Sequence, residues 1–180
     1  MHSAVPVAPA LAGSWRQVTA GLDGACGVTT AGAGYCWGRN YEGQVGMGGA
    51  GNTGGPASLS TPTPVAGGMA WALIQRGFMH TCGVTTAGET WCWGNNVYGQ
   101  LGDGTDAVSG TSQAYVPTPR RVQTTHRYVR LLLGDYHTCG ETAEHVFDCW
   151  GFNGFLSLTS AATPSGVSVR NTPFTISLPN

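Results

Sequence analysis

Six cysteines, spaced as three pairs, are the residues of this chain whose chemistry is easiest to specify. Ten residues separate the members of each pair and no cysteine is left over; the pairs are Cys26 with Cys36, Cys82 with Cys92, and Cys139 with Cys149. A cysteine pair can form a disulfide, contribute to a zinc site or pack as two buried thiols. The residues between the cysteines indicate which of these the spacing favours.

The segment CGVTTAGETWC, which begins at Cys82, predicts a β-hairpin with its two cysteines opposite each other. Its midpoint is Ala87, so the loop has an odd number of residues, and a three-residue turn that ends in a positive φ at Gly88 fits. Opposed antiparallel residues have Cα atoms roughly 4.5–5.5 Å apart, which a disulfide accepts. The spacing favours three disulfides over zinc sites, whose ligands are usually closer in sequence, and buried free thiols are the other alternative.

The third hairpin departs from the other two at its turn. Its segment GETAEHVFD has His145 where the first two copies have Gly32 and Gly88. The turn must therefore use a residue that tolerates left-handed geometry less well than glycine.

The triplet His-Thr-Cys occurs at 80–82 and again at 137–139, and it could be a base next to a nucleophile. Adjacent strand residues point to opposite faces, and a catalytic group is rarely needed in two repeats, so we predict a structural hydrogen bond within each unit. Residues 102–106 lack the ligand pattern of a calcium loop, and the serines at 157–168 lack a G-x-S-x-G context. We predict no catalytic residue, no metal site and no cofactor.

The cysteine hairpin belongs to a longer unit that is repeated along the chain. Residues 26–46 and 82–102 are identical at 14 of 21 positions, and a worn third copy keeps Cys139-Gly140 and Cys149-Trp150-Gly151. A Pro-marked segment and an aromatic segment that ends in glycine precede each hairpin. A fixed period of about 57 residues is typical of repeat architectures.

These segments are short, rich in Val, Thr, Trp and Tyr, and bounded by Gly, Pro and Asn, which is typical of β-strands. Four strands per unit predict an all-β fold of β-propeller-type blades, each with four antiparallel strands, and about three blades in one repeat domain over 1–180. We expect each unit to begin with its Pro-marked strand, which gives units of approximately 5–60, 61–116 and 117–180.

Composition argues against several classes of function. Charged residues make up 9% of the chain, the formal net charge is −1, and the eight basic residues are scattered arginines, so we expect no nucleic-acid partner. No run of 18 apolar residues occurs, so we expect no membrane insertion. The N-terminal stretch lacks a basic region and is interrupted by Pro6 and Pro9, which makes it a poor secretion signal as written.

The pattern G-x4-CGVTTAG-x3-CWG-x-N-x2-GQ-[VL]-G resembles the regulator of chromosome condensation repeat family, especially its cysteine-containing bacterial members. The resemblance covers most of residues 5–155, and the third copy departs from it by reading GFLS in place of the Gly-Gln-Leu-Gly tail. It is carried by Gly21, Gly38, Asn40, Gly43, Gln44, Gly46, Gly77, His80, Thr81, Gly94, Asn96, Gly99, Gln100, Leu101, Gly102, Gly134, His137, Thr138, Gly151 and Asn153.

This resemblance implies propellers of four-stranded antiparallel blades, and it implies more than one function. Eukaryotic members act as guanine nucleotide exchange factors on chromatin, a bacterial relative inhibits β-lactamases, and a plant relative senses ultraviolet light through clustered tryptophans. The tryptophans of this chain recur at fixed positions of the repeat, so we expect them to serve packing. A fold does not specify a function.

Binding is the function that the sequence supports best. The copies differ between the shared Asn and Gly-Gln, and the loops at 47–60 and 103–116 also differ, which is where repeat proteins place recognition. Residue types that dominate interfaces occur in and beside these loops. The candidates are Tyr41, Glu42, Tyr98, Tyr115, Arg120 and Arg121.

We therefore predict a secreted or surface-exposed, non-enzymatic scaffold that binds a protein or glycan partner. We expect it outside the cell, in a periplasm or on the cell surface, because disulfides persist outside a reducing cytosol. The alternatives are a small hydrolase or other enzyme on this frame, or an exchange-factor-like regulator. Three blades are fewer than the four to eight of most propellers. We expect a homo-oligomer. The alternatives are that the chain is a piece of a longer propeller, or that the third blade and the tail at 163–180 cap an open array. The tail could also add a strand to another blade or subunit.

Overall fold

Residues 14–108, 110, 114–153 and 169–176 are described by the computed structural model, and they form three antiparallel sheets of four strands each. The predicted strand at 5–9 and the serines at 157–168 lie outside these residues. Within each sheet the strands follow chain order, so every strand pairs with its sequence neighbours. The described residues contain no helix that is long and apolar enough to cross a membrane.

The all-β prediction is confirmed, with the following strands. The first sheet contains β1 Trp15–Gly21, β2 Gly24–Thr29, β3 Gly34–Arg39 and β4 Ser58–Pro64. The second contains β5 Trp71–Arg76, β6 His80–Thr85, β7 Thr90–Asn95 and β8 Tyr115–Arg121. The third contains β9 Tyr128–Leu133, β10 His137–Thr142, β11 Phe147–Phe152 and β12 Val169–Thr175.

The two middle strands of every sheet form the predicted cysteine hairpin. In each hairpin the two cysteines are register partners, and their Cα atoms lie 4.0–4.1 Å apart. All six cysteines are joined in the predicted pairs, so the three disulfides are confirmed and the zinc and free-thiol alternatives are not.

The turns of the hairpins share one backbone geometry. The third loop residue has a positive φ in each case: 85° at Gly32, 81° at Gly88 and 60° at His145. His145 is the one non-glycine residue with a positive φ among the described residues. The repeat therefore imposes a left-handed turn even where the sequence has lost its glycine.

The Pro-marked segments do not belong to the sheets to which the sequence assigned them. Each is the fourth strand of the preceding sheet, not the first strand of its own: β4 pairs with β3, and β8 pairs with β7. The expected unit boundaries at 61 and 117 therefore fall inside strands. The C-terminal strand β12 likewise pairs with β11 of its own sheet, so this part of the tail completes its own sheet rather than another subunit's.

The core lies in two joints between successive sheets. We call the face of a sheet that points toward the next sheet its trailing face, and the opposite one its leading face. In the first joint the disulfide Cys26–Cys36 packs with Trp71, Ile74 and Trp93 of the second sheet. In the second joint the equivalent residues meet, and the cluster contains Cys82, Cys92, Tyr128, Leu131 and Trp150. Each of these two disulfides thus lies under the aromatic residues of the following sheet.

The Gly-Gln segment of each long loop supplies a hydrogen-bond acceptor to these joints. The backbone oxygen of Gln44 accepts the indole N–H of Trp93 at 2.9 Å and the Thr81 hydroxyl at 2.8 Å. The segment can lie against the indole because Gly46 has no side chain: a Cβ there would come within 2.6 Å of the Trp93 Nε1. The repeated Gln-x-Gly sequence therefore connects each of the first two sheets to the next one within the joint.

The second joint repeats this arrangement with one addition. The Gln100 oxygen accepts the Trp150 indole at 2.9 Å and the Thr138 hydroxyl at 3.0 Å. Because that hydroxyl proton is used, Thr138 Oγ1 must accept the N–H of His80 Nε2, 2.7 Å away. Three of the hydrogen bonds of the His-Thr-Cys triplets thus run between sheets, and a fourth, from Arg76 to Thr81 at 3.3 Å, lies within the second sheet. The prediction of a hydrogen bond within each unit therefore holds only for that contact. The reason is that the Gln loop enters the joint from the preceding sheet.

The two ends of the array differ in chemistry. On the leading face of the first sheet, Val18 is 54% exposed, whereas Ile74 and Leu131 at the same repeat position are 0% and 4% exposed. On the trailing face of the third sheet, Glu141 occupies the position where Val28 and Val84 are buried in joints. One end is therefore an uncovered apolar face, and the other combines the charge of Glu141 with the exposed side chains of Leu132 and Phe174.

Candidate functional site

We call the end of the sheets where β1, β5 and β9 finish the recognition end, because the long loops 40–57 and 96–114 leave the sheets there. Four of the six predicted binding residues, Tyr41, Glu42, Tyr98 and Tyr115, lie at this end. Strands β3 and β7 deliver the loops, and Asn40 and Asn96 anchor them: their Oδ1 atoms accept the backbone N–H groups of Val45 and Leu101.

A cation–aromatic cluster stands at the recognition end of the first joint. The guanidinium of Arg39 lies 5.8 Å from the Tyr41 ring centroid and 5.4 Å from that of Phe78, which comes from the second sheet. Tyr41 is 48% exposed. Arg39 is held from the other side by Glu42, at 2.6 Å, and by Asp23, at 3.6 Å. The hydrogen bonds that Arg39 donates to the Glu42 carboxylate are the main reason that the pKa of Arg39 is raised.

Glu42 supports this cluster from below the surface. Its side chain is buried, and Oε2 accepts a hydrogen bond of 2.6 Å from the Gln44 amide. Gln44 in turn accepts the backbone N–H of Glu42. Glu42 therefore positions Arg39 and has little surface of its own for a partner.

Three aromatic rings form a second group at the recognition end of the second joint, which we call the aromatic triad. Tyr98 lies 5.3 Å from Tyr136 and 4.9 Å from Phe152, and the latter two rings are 6.4 Å apart, all measured between centroids. All three side chains are half-buried. Aromatic groups of this kind, packed below and accessible above, are common at interface centres.

The remaining predicted residues are not brought together with these. Tyr115 begins β8 at the recognition end and is half-buried, opposite Asn95. Arg120 and Arg121 are exposed at the far end of the same strand, and Arg121 pairs with Glu89 at 3.0 Å. The six candidates therefore occupy opposite ends of the sheets.

Sequence reasoning missed Arg39, Phe78, Tyr136 and Phe152. Phe78 and Tyr136 lie in the short loops before the His-Thr-Cys triplets, and Arg39 and Phe152 follow Cys-Trp-Gly. The available signal was that these positions vary between the copies of the repeat. Their convergence with the long loops depends on packing between sheets, which the repeat alone does not specify.

The candidates for catalysis or metal binding have structural partners. His80 is fully buried, and its Nε2 bonds to Thr138. Asp103 accepts the backbone N–H and the hydroxyl of Thr105, which makes 102–106 a closed turn. In the part of the chain that the structure describes, no group of three or more His, Cys, Asp or Glu side chains could hold a metal ion.

Comparison with known sequences identifies the repeat. The family model "Regulator of chromosome condensation (RCC1) repeat" matches residues 87–140. The chain is 34% identical over 139 residues to the mitochondrial RCC1 domain-containing protein RUG3 of Arabidopsis thaliana, across 75% of this chain and 30% of that protein. It is 26% identical over 155 residues to the probable E3 ubiquitin-protein ligase HERC4 of Homo sapiens, across 86% of this chain and 14% of that protein. The chain thus spans less than a third of these relatives.

Comparison with solved structures identifies the fold. The crystal structure of Prp20p from Saccharomyces cerevisiae, described together with its binding properties to Gsp1p and histones, superposes with a TM-score of 0.75 at 17% identity. The match covers 91% of this chain and 38% of that one. The three sheets are therefore blades of the β-propeller type, as predicted.

Proposed function

The chain belongs to the regulator of chromosome condensation (RCC1) repeat family, and we propose that it is a non-enzymatic, protein-binding module whose recognition end holds the contact surface. Prp20p, which shares the fold, binds the proteins Gsp1p and histones. The fold can therefore support a protein partner, and which partner this chain binds depends on the residues of its own surface.

The observation that carries the proposal is the aromatic triad of Tyr98, Tyr136 and Phe152. Its rings come from two blades and occupy positions at which the copies differ, on a frame that is otherwise repeated. The Arg39 cluster stands at the equivalent point of the first joint. Aromatic and arginine side chains that are rigidly held supply most of the energy of protein interfaces, because little side-chain entropy is lost on binding.

We further propose that the module works outside a reducing cytosol, in an extracellular or periplasmic space or at a cell surface. All six cysteines are paired, and two of the three disulfides lie in the joint cores. Disulfides persist in oxidising compartments and are rare in the cytosol. The low content of basic residues, eight in all, favours a protein over a nucleic-acid partner.

Site-specific photo-crosslinking tests the recognition end. A benzophenone amino acid would replace Tyr98 in one variant and Tyr41 in another. Each variant would be irradiated with candidate partner proteins, beginning with Gsp1p and histones, the proteins named for Prp20p. We expect the same partner to be captured from both positions, and Tyr136→Ala to lower its affinity at least about tenfold, the effect of losing one hot-spot ring.

The matched control places the crosslinker at Val129, which is 56% exposed in the third blade and remote from the recognition end. Equal capture from Val129, or no loss of affinity in Tyr136→Ala, would reject the recognition end as the contact surface.

Self-association is proposed separately, through the leading face of the first blade. Besides the exposed Val18, this face carries an aromatic group in which Trp15 lies 5.8 Å from Tyr35 and 6.0 Å from Trp37. A head-to-tail contact would cover the exposed Arg130 and His145, which pair with Glu141 on the third blade, and burying such charged groups is costly. We therefore propose a two-fold contact between the leading faces of two copies.

Native mass spectrometry tests this contact. We expect a dimer for the unmodified chain and a monomer for Val18→Asp, with the thermal midpoint unchanged because Val18 is exposed within the chain. Leu132→Asp on the trailing face is the control and should leave the dimer intact. A monomeric unmodified chain at micromolar concentration would contradict the contact.

A further inference from the structure

The third blade has polar residues that contact one another at three positions where the second blade has apolar residues. Two of these positions lie thirteen and eleven residues before the first cysteine of the blade. The third lies directly before its second cysteine. In the second blade they hold Met69, Trp71 and Trp91; in the third they hold His126, Tyr128 and Asp148. The simultaneous replacement of three residues that contact one another indicates that they have a role specific to this blade.

These residues form a hydrogen-bond network around a buried carboxylate. Asp148 Oδ2 accepts the Tyr128 hydroxyl at 2.7 Å and the His126 Nδ1–H at 2.5 Å, while Oδ1 accepts the Thr175 hydroxyl at 2.6 Å. Burial alone would raise the pKa of Asp148, but the bonds from Thr175, Tyr128 and His126 outweigh it and leave the pKa lowered. Asp148 is therefore an acceptor whose two oxygens are already engaged.

The network determines where the protons lie on His126. A carboxylate can only accept, so Nδ1 of His126 carries a proton. In the neutral imidazole the other nitrogen, Nε2, then has a free lone pair. The ring is held in place because Asp148 is fixed by two further donors, and its side chain is 42% exposed. The result is an oriented acceptor at the surface.

His126 lines a cavity of about 400 Å³, a size within the roughly 300–1,000 Å³ of small-molecule sites. The wall is formed mainly by side chains with hydroxyl or amide groups. The lining residues are Gln123, Thr124, Thr125, His126, Asp148, Pro173 and Thr175.

We propose that this cavity binds a neutral, polyhydroxylated ligand such as a sugar residue, with a ligand hydroxyl donating to His126 Nε2. Sugar hydroxyls both donate and accept, which matches a wall of Thr and Gln side chains. A phosphate or carboxylate fits less well, since none of the described lining residues carries a fixed positive charge and Asp148 is negative. This site lies outside the recognition end and does not depend on the protein-binding proposal.

The test is a titration of the full chain with glucose, galactose, mannose and N-acetylglucosamine, followed by NMR of the histidine ring nitrogens. We expect at least one sugar to shift the Nε2 resonance of His126 in a saturable manner. His145 is the internal control, because its Nδ1 also bonds a carboxylate, Glu141 at 2.8 Å, but its ring is 82% exposed and lines no part of this cavity.

Two variants complete the test. Thr125→Val, on the exposed loop that lines the cavity, should weaken the binding of that sugar by about tenfold through loss of hydroxyl contacts, and His126→Phe should abolish it, with folding of both verified from the amide spectrum. No saturable shift with any of the four sugars overturns the proposal. Equal shifts at His126 and His145, or unchanged affinity in both variants, also overturn it.

Discussion

The indole of Trp150 in the third blade donates a hydrogen bond of 2.9 Å to the backbone oxygen of Gln100 in the loop of the second. Trp93 and Gln44 make the same contact one joint earlier. Trp37 occupies the equivalent position of the first blade, where its ring is only half-buried. The same position of the repeat is therefore buried in a joint in the second and third blades and lies nearer the surface in the first blade.

This difference predicts unequal effects of one substitution. Trp150→Phe removes the indole N–H and part of a fully buried ring, so we expect a loss of about 2–3 kcal/mol in the free energy of unfolding. Trp37→Phe should cost less than about 1 kcal/mol, because its surroundings can adjust and water can replace lost contacts. Urea denaturation of both variants measures the two losses. Similar losses would show that the joint bond contributes little.

The disulfides are predicted to differ in the same way. Closing a loop of this length is worth about 3 kcal/mol in each case by the chain-entropy model. The sulfurs of Cys82 and Cys92 are also part of the second joint, and both residues are fully buried, whereas Cys139 in the third blade is half-buried.

We therefore expect the double variant Cys82→Ala, Cys92→Ala to lose more stability than Cys139→Ala, Cys149→Ala. Thermal unfolding of the two variants at equal concentration compares them, and the denatured mass before and after reduction verifies which bridges are present. A larger loss in the third blade would contradict the account of the joint cores.

Local features of this fold could be predicted from the sequence, and features that depend on packing between blades could not. The hairpin register, the disulfides and the turn at His145 follow from residues within ten positions of one another. The phase of the Pro-marked strands does not, because a periodic sequence can be divided at any point, and only pairing with β3 or β7 decides it. The bond between Gln100 and Thr138 likewise spans 38 residues and two blades.

The same distinction applies to the candidate site. Tyr41 and Tyr98 could be found because their loops vary visibly between copies. Phe78 and Tyr136 join them only because successive blades place short loops beside long ones, and the network of His126 and Asp148 joins residues 22 positions apart. Nothing in the spacing of those residues marks them as partners.

The turn of the third hairpin offers a stabilising substitution. His145 has a φ of 60°, a region in which a side chain is unfavourable, and its bond to Glu141 is at an exposed position. We expect His145→Gly to raise the free energy of unfolding by about 0.5–1 kcal/mol. Gly88→Ala is the converse at the equivalent position and should lower it by about 1–2 kcal/mol. Guanidinium denaturation measures both, and a destabilised His145→Gly would mean that the Glu141 contact outweighs the backbone strain.

His80 predicts how stability depends on pH. Its ring is fully buried in the second joint, and burial, with smaller effects of His137 and Arg76, lowers its pKa to about 3. In the unfolded chain the imidazole of His80 has a pKa of about 6.5, so below that pH it binds a proton that the folded chain does not bind. The stability that this histidine supports is therefore complete above about pH 6.5 and declines as the pH falls toward 3, by about 1.4 kcal/mol per pH unit. His80→Gln keeps an N–H donor for Thr138 but has no titrating group. The free energy of unfolding of both proteins would be measured from pH 4.5 to 7.5. As the pH falls, it should decrease less steeply in His80→Gln than in the unmodified chain, by about 1.4 kcal/mol per pH unit. Parallel curves for the two proteins would assign the acid sensitivity to other groups.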